Sequence, residues 1–371
     1  MTKPLTGSSF RLTLAKFQRH LMVALCGVVA AVSPMRSRAQ QISYYDFRAP
    51  ATNPGQTSAS CTANAAASGV QLCLNNSGGG LGFIQDNSTW ALQLTQPAQS
   101  QSSSVWYSIP QNVAGGFTAW YSFKITPGSS PYGDGLAFVI QNAAGGAGMD
   151  PLSGCIATGS GLNALGFGGG CLGYGGIDNS LAIEADTFLD SYDPIDFPGL
   201  YDDSHIAIQS CGAGLANSTA HYASNSASPL VPTNCLALLG DTYAIASYPS
   251  NSQGSGQVTL ADGNTHQVVI VYNGPKDSPA NTIYVYLDPA FEPGTHTPVA
   301  GSTPILTGAF NIAQYVNLNN GTANIGFTAA TGGSTQQNEL LGFTFTPHGS
   351  GNANVCPSGA TSPAPSATRF R

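Results

Sequence analysis

Between residues 41 and 347 the chain is written in short segments in which apolar and polar residues alternate, and the 3.6-residue apolar period of a helix is nearly absent. The segments 117-FTAWYSFKI-125, 135-GLAFVI-140, 266-HQVVIVY-272, 282-TIYVYLD-288 and 341-LGFTFT-346 have the length and the β-branched or aromatic content of strands. Gly, Asn, Ser and Pro, the residues that turns use, separate them. With 45 glycines in 371 residues a helical bundle is excluded, and with 42% hydrophobic residues so is a disordered chain. No internal repeat and no linker-like stretch divides the region. The expectation is one all-β domain, an antiparallel β-sandwich over residues 40–347.

The two ends differ in kind. Residues 1–39 place Lys3, Arg11, Lys16 and Arg19 before the apolar run 21-LMVALCGVVAAVS-33, and Ser37-Arg38-Ala39 then offers small residues at a cleavage site; this is the pattern of a secretory signal peptide. The run is too short to span a bilayer comfortably, and no second run of about 18 apolar residues follows, so a membrane-spanning mature chain is not expected. Leu25 sits where a lipoprotein would need a small residue before Cys26. Residues 348–371 are rich in Ser, Pro and Gly and read as a disordered tail. The protein is therefore expected to be secreted or periplasmic, with its seven remaining cysteines drawn into disulfides. Adjacent pairing joins Cys61 with Cys73, Cys155 with Cys171 and Cys211 with Cys235, leaving Cys356 alone. No cysteine pair has zinc spacing.

Removing residues 1–39 changes the charge balance. Six of the eleven Lys and Arg lie there with no acid, so the mature chain carries five basic against 18 acidic residues, a net charge of about −13. Such a chain does not seek nucleic acid. The segment 182-AIEADTFLDSYDPIDFPGLYDDSHIAI-208 packs seven carboxylates into 27 residues, and no Lys or Arg occurs between Lys124 and Lys276. Local ion pairs cannot offset these acids; bound cations can. The period of two puts Leu181, Ile183 and Ala185 on one face of a strand and Ala182, Glu184 and Asp186 on the other. Two carboxylates therefore project together at a strand end, and the chain later returns through His205 into the apolar strand Ile206-Ala207-Ile208. Oxygen-rich loops favour Ca²⁺, and carboxylates joined by one imidazole suit a transition ion such as Mn²⁺. The plain alternative is a solvated acidic loop. His221, His266, His296 and His348 are read as structural.

At these residues the chain resembles a family. The segment is similar to the metal-binding stretch of legume-type (L-type) lectins, where a strand ending E-x-D-T-F is followed by a polar loop, D-P and then H-I-x-I. The blocks 105-VWYSIP-110, 133-GDGLAFVI-140, 169-GGCLG-173, 266-HQVVIVY-272, 282-TIYVYLD-288, 325-IGFTAATG-332 and 341-LGFTF-345 match in the expected order. The resemblance implies a jelly-roll, concanavalin A-like sandwich that binds a glycan with Ca²⁺ and Mn²⁺ as cofactors. It implies that Glu184, Asp186, Asp193 and His205 hold the transition ion. Asp186 and Asp193 would bridge to calcium, which also takes the Phe188 carbonyl and the Asp190 side chain. Asp134, a backbone N–H near Gly170 and residue 190 would grip the sugar, with Phe188 stacked on its apolar face. The Gly133-Asp134 peptide would be cis. Two departures stand out. Asp190 occupies a position usually filled by Asn, and an ionised aspartate cannot donate a hydrogen bond to a sugar. Eleven residues separate Asp193 from His205, longer than the family pattern, so Asp202 or Asp203 can replace Asp193 as the bridging ligand. The stretch 331-TGGSTQQNE-339 corresponds to a specificity loop, or is an ordinary hairpin connection.

Two other functions are set against the lectin. Retaining β-glucanases share this sandwich and use E-x-D-x-E or E-x-D-x-x-E, with two carboxylates about 5 Å apart. Here Phe188 and Leu189 stand at the second-Glu positions, and the only other glutamates are the distant Glu292 and Glu339. G-x-S-x-G, H-E-x-x-H and G-K-[ST] do not occur. A structural or adhesive surface protein that keeps the metals without a sugar pocket fits the composition equally well. Homo-oligomerisation is left open.

Overall fold

A computed structural model of the protein describes residues 42–44, 47, 55–57, 61, 71–86, 89–145, 149, 154–188, 190, 204–219, 236–237 and 259–349. Every alternating segment quoted above falls inside a strand. Only 282–288 ends early, at Leu287, because Asp288 turns into the left-handed region with φ 46°. Among the described residues the strands form two sheets. One runs in the order β15 (Leu306–Ala309), β14 (Thr282–Leu287), β13 (Thr265–Asn273), β8 (Gly116–Pro127), β17 (Gln336–Pro347), β5 (Thr89–Thr95) and β4 (Gly82–Asp86), with β1 (Ile42–Tyr44) also on β17. The other runs β12 (Leu236–Ala237), β11 (His205–Ser210), β10 (Ser180–Asp186), β9 (Gly135–Gln141), β16 (Thr322–Thr331), β6 (Gln101–Tyr107), β3 (Leu72–Ser77) and β2 (Gly55–Thr57), with β7 (Gln111–Asn112) on β16. Pairing is antiparallel except between β2 and β3, which run parallel. The expected all-β sandwich is therefore the fold. No helix among the described residues is long and apolar enough to cross a membrane.

The core between the sheets is built from the inward half of each alternation. Tyr121, Phe123, Phe138, Phe327 and Phe343 meet at its centre, with Phe327 edge-on to both Tyr121 and Phe343 at centroid distances of 5.2 and 5.0 Å. Each such ring contributes roughly 1.5–3 kcal/mol by leaving water, and edge-to-face geometry adds to that. Leu181, Ile183 and Ala185 join this core, as their period requires. The nine-stranded sheet has a second buried face. Residues 154–179 lie over it, and Trp106, Ala137, Val139, Leu172, Tyr174 and Ala182 form a separate apolar cluster there. Trp106 Nε1 and Ser104 Oγ both donate to the Ala164 carbonyl, at 2.8 and 2.7 Å. A polar alternation facing this layer is therefore buried rather than solvated, and all seven residues of β10 are buried.

The disulfides Cys61–Cys73 and Cys155–Cys171 form as expected, and the second fastens this covering segment to itself. Cys211 is also disulfide-bonded; its expected partner Cys235, like Cys356, lies outside the described residues. The stretch 331–339 is not one loop: the connection spans only 332–335, and Gln336 onward belongs to β17. The polar side chains that suggest a loop satisfy one another inside the sheet. Gln336 Nε2 donates to Asn338 Oδ1, and Asn338 Nδ2 donates to Thr95 Oγ1. Lys124 bridges buried Glu339 at 3.0 Å and Asp86 at 2.7 Å. His348, where the sequence-based tail begins, donates its backbone N–H to Gly116 and sets its ring against Asp277 and Thr118.

The structural reading of His266 and His296 agrees with their surroundings. His296 stacks on Trp120 at a centroid distance of 3.6 Å. His266 sits between Asp288, 2.7 Å from Nδ1, and Asp262, 3.3 Å from Nε2. Burial opposes the imidazolium, but the Asp288 hydrogen bond and the charges of Asp288 and Asp262 win and raise its pKa above 6.5. Asp262 is held below 3.8: burial raises it, and the hydrogen bonds of Asn264 and the charge of His266 outweigh that. The stability from His266 is therefore complete below its ordinary value and lost as pH rises through the raised one. The share from Asp262 is complete above its ordinary value and lost as pH falls through the depressed one. Urea unfolding across pH is expected to show that His266→Gln costs most between about 3.8 and 6.5 and progressively less above it. A cost that does not change with pH refutes this.

Candidate functional site

The acidic face is assembled by register. In β10, Asp186 lies opposite His205 of β11 on one side and Gly135 of β9 on the other, while Glu184 lies opposite Ala207 and Ala137. Opposed residues share a face, so Glu184, Asp186 and His205 point the same way, into the layer covered by residues 154–179. Their exposures are 0%, 3% and 4%. His205 Nε2 approaches Glu184 Oε1 to 3.8 Å, and Tyr174 donates its hydroxyl to Glu184 Oε2. Asp186 Oδ1 accepts the backbone N–H of Phe188 at 2.8 Å and so bends the chain out of β10.

Asp134 stands beside this strand end. Its peptide with Gly133 is cis, as expected. Its backbone is fixed three ways: N–H to the Ala330 carbonyl at 3.2 Å, and its carbonyl accepting from Thr187 N and Oγ1 at 2.8 and 2.7 Å. The same Thr187 hydroxyl lies 2.8 Å from Gln336 Oε1, so the two acceptors share its one proton. The side chain is 3% exposed, and its Oδ2 has no hydrogen-bond partner among the described residues. Burial, and then the charge of Asp190, push its carboxyl up to about 8 against the opposing hydrogen bond from the Gly332 backbone. Glycine is needed at two points here. A Cβ on Gly133 would come within 2.8 Å of the Phe188 ring, and one on Gly332 within 3.2 Å of Asp134 Oδ2 and 3.1 Å of Gly169 Cα. Gly170 belongs to the short 3₁₀ turn Gly169–Cys171 that makes this contact.

The structure thus brings Glu184, Asp186 and His205 to one face, and Asp134, Phe188 and Asp190 to the adjoining strand end with the Gly169–Gly170 turn. Asp193, Asp202 and Asp203 lie outside the described residues. Among the described residues no three His, Cys, Asp or Glu side chains are close enough to hold an ion by themselves. The donors present nevertheless suit a divalent cation: buried carboxylates facing an imidazole, with an unsatisfied carboxylate oxygen next door and no basic side chain between Lys124 and Lys276. Tyr174 was not singled out by sequence reasoning, and Thr187 and Gly332 lie inside the matched blocks with no role of their own assigned. For Tyr174 the available signal was one of only two aromatics, with Phe167, inside the glycine-rich run 166–176.

A two-sheet sandwich carrying a buried acid and imidazole cluster at one strand end defines a class, and the comparisons give the family. A family model for the legume lectin domain matches residues 79–357. The chain belongs to the legume lectin domain family, a family of carbohydrate-binding lectins. Similar solved structures include a lectin from Bauhinia forficata in complex with GalNAc, 15% identical, with 83% of this chain and 97% of that one covered and a TM-score of 0.46. Lectin II from Ulex europaeus is 17% identical over 84% of this chain and 99% of its own, with a TM-score of 0.47. Arcelin-5, a lectin-like defense protein from Phaseolus vulgaris, is 13% identical over 83% and 97%, with a TM-score of 0.43.

Proposed function

We propose that this chain is an exported, divalent-cation-dependent carbohydrate-binding protein with no catalytic step. The observation that carries the reading is the buried, unsatisfied Oδ2 of Asp134, set beside Asp190 and one strand from the Glu184, Asp186 and His205 face. Such an acceptor costs free energy unless a ligand donates to it. Glu184, Asp186, His205 and Asp193 would hold a transition ion such as Mn²⁺. Asp186, Asp193, Asp190 and the Phe188 carbonyl would hold Ca²⁺, with Asp202 or Asp203 as substitutes for Asp193. The cations would supply positive charge that the surrounding sequence lacks. Asp134, the Gly170 amide and residue 190 would bind sugar hydroxyls, and the Phe188 ring would cover C–H groups.

The glutamates weigh against hydrolysis. Glu339 is held by Lys124 in the other sheet, and the backbone of Glu292 is engaged with Thr297 in the turn after β14, so neither supplies a second carboxyl beside Glu184. The signal-like residues 1–39 and the disulfides support export. Purified mature protein with Ca²⁺ and Mn²⁺, applied to a glycan array and to a β-glucan, tests the reading. Array binding without glucan cleavage is expected. Cleavage would establish the hydrolase, and a folded, metal-loaded protein that binds no glycan would establish the adhesive or structural role.

A further inference from the structure

Tyr174 belongs to the segment that covers the nine-stranded sheet; it is fully buried, and its hydroxyl meets the acidic face of β10. That hydroxyl has one proton to give. Two acceptors lie within reach, Glu184 Oε2 in a short contact and the Ser218 carbonyl at 3.4 Å. The nearer oxygen takes the proton, because a carboxylate makes the stronger bond. The other oxygen, Glu184 Oε1, is the one that faces His205 Nε2 at 3.8 Å. One oxygen of Glu184 is thus turned to the phenol and the other to the imidazole.

The backbone behind Tyr174 is fixed in advance. Its N–H and that of Gly175 both donate to the Cys171 carbonyl, at 3.1 and 2.8 Å, and Cys171 is tied to Cys155 by a disulfide. Gly173 has φ 70°, and a Cβ there would come within 2.8 Å of the Ala329 carbonyl oxygen. One on Gly175 would come within 2.9 Å of the Cys155 sulfur. Thr328 Oγ1 adds a bond of 2.9 Å to the Leu172 carbonyl. A turn packed this closely on the sheet delivers the ring to Glu184 without further ordering.

A carboxylate engaged at one oxygen has the other left for an ion. Ca²⁺ gathers roughly six to eight oxygens, often by taking both from one carboxylate, whereas an octahedral transition ion is satisfied with one from each. We infer that Tyr174 is a positioning residue that sets which ion the Glu184 position accepts: it holds Glu184 to ligation through a single oxygen and so favours Mn²⁺ over Ca²⁺ there. It touches no ion itself. The inference rests on the proposed cation-dependent reading.

The test compares the parent chain with Tyr174→Phe, which removes the hydroxyl and keeps the ring that fills the layer, and with Thr328→Val, which removes another buried hydroxyl from the same turn without touching Glu184. Each protein is saturated with both ions, Ca²⁺ is then raised, and released Mn²⁺ is followed by its solution EPR signal. At saturating Mn²⁺ the displacing Ca²⁺ concentration reads the ratio of the two affinities, which a loss of affinity common to both ions does not move. Removing an outer-shell partner costs roughly 10–100-fold in metal affinity. Tyr174→Phe is expected to weaken Mn²⁺ at least tenfold and to lower the displacing Ca²⁺ concentration by the same factor, while Thr328→Val leaves that concentration at the parent value. An unchanged displacing concentration in Tyr174→Phe, or an equal fall in Thr328→Val, overturns the inference and leaves the cation-dependent reading standing. A parent chain that takes up no Mn²⁺ overturns both.

Discussion

Asp186→Ala is expected to abolish calcium uptake and to make the protein's thermal stability insensitive to chelator. Two effects of opposite sign meet at this residue. Its carboxylate is buried, and it accepts the Phe188 N–H at 2.8 Å, so truncation orphans a donor at a cost of roughly 1–3 kcal/mol. Without metal the same truncation removes one charge from an acidic cluster that lacks counter-charge, which offsets part of that cost. With metal, the parent chain gains about 2.7 kcal/mol of linkage when the free ion exceeds its Kd a hundredfold, and the variant gains none. The gap between parent and variant should therefore be wide in Ca²⁺ and narrow in chelator. Differential scanning calorimetry in both conditions measures it, and an equal gap in both would show that Asp186 is structural only.

Asp134→Ala is expected to weaken glycan binding by at least 100-fold while leaving the metals and the fold in place. Two hydrogen bonds to a charged acceptor contribute roughly 1.5–3 kcal/mol each, so their loss reaches that factor comfortably. Folding is spared because Thr187 and Ala330 engage the backbone of Asp134 and not its side chain. Burial and the Asp190 charge disfavour the ionised carboxylate in the metal-free protein, so its removal is neutral or stabilising there. Array binding read alongside calcium calorimetry separates the two sites: loss of both together would mean that Asp134 supports the metal face and does not contact sugar.

Strand positions were legible because side-chain alternation is local. The same rule placed Glu184 and Asp186 together on the outward face of β10, and pairing opposite His205 completed that cluster. What local pattern could not supply was burial. Alternation alone makes the outer face of β10 solvent-facing, whereas residues 154–179, a glycine-rich stretch with no period, cover it. The convergence at Asp134 was equally illegible in its details, since Thr187 and Gly332 reach it from two distant segments and Gly169 packs against Gly332 from a third. The start of β17 misleads for a different reason. Gln336 and Asn338 read as loop, yet side-chain hydrogen bonds satisfy them inside the sheet.

The measurement that bears most directly on cation-supported glycan recognition is a titration of the best array ligand into protein stripped of metal, repeated after Ca²⁺ and Mn²⁺ are restored. The stripped protein should bind no sugar, and restoring both ions should return full affinity. Undiminished sugar binding by the folded, metal-free protein would contradict the account.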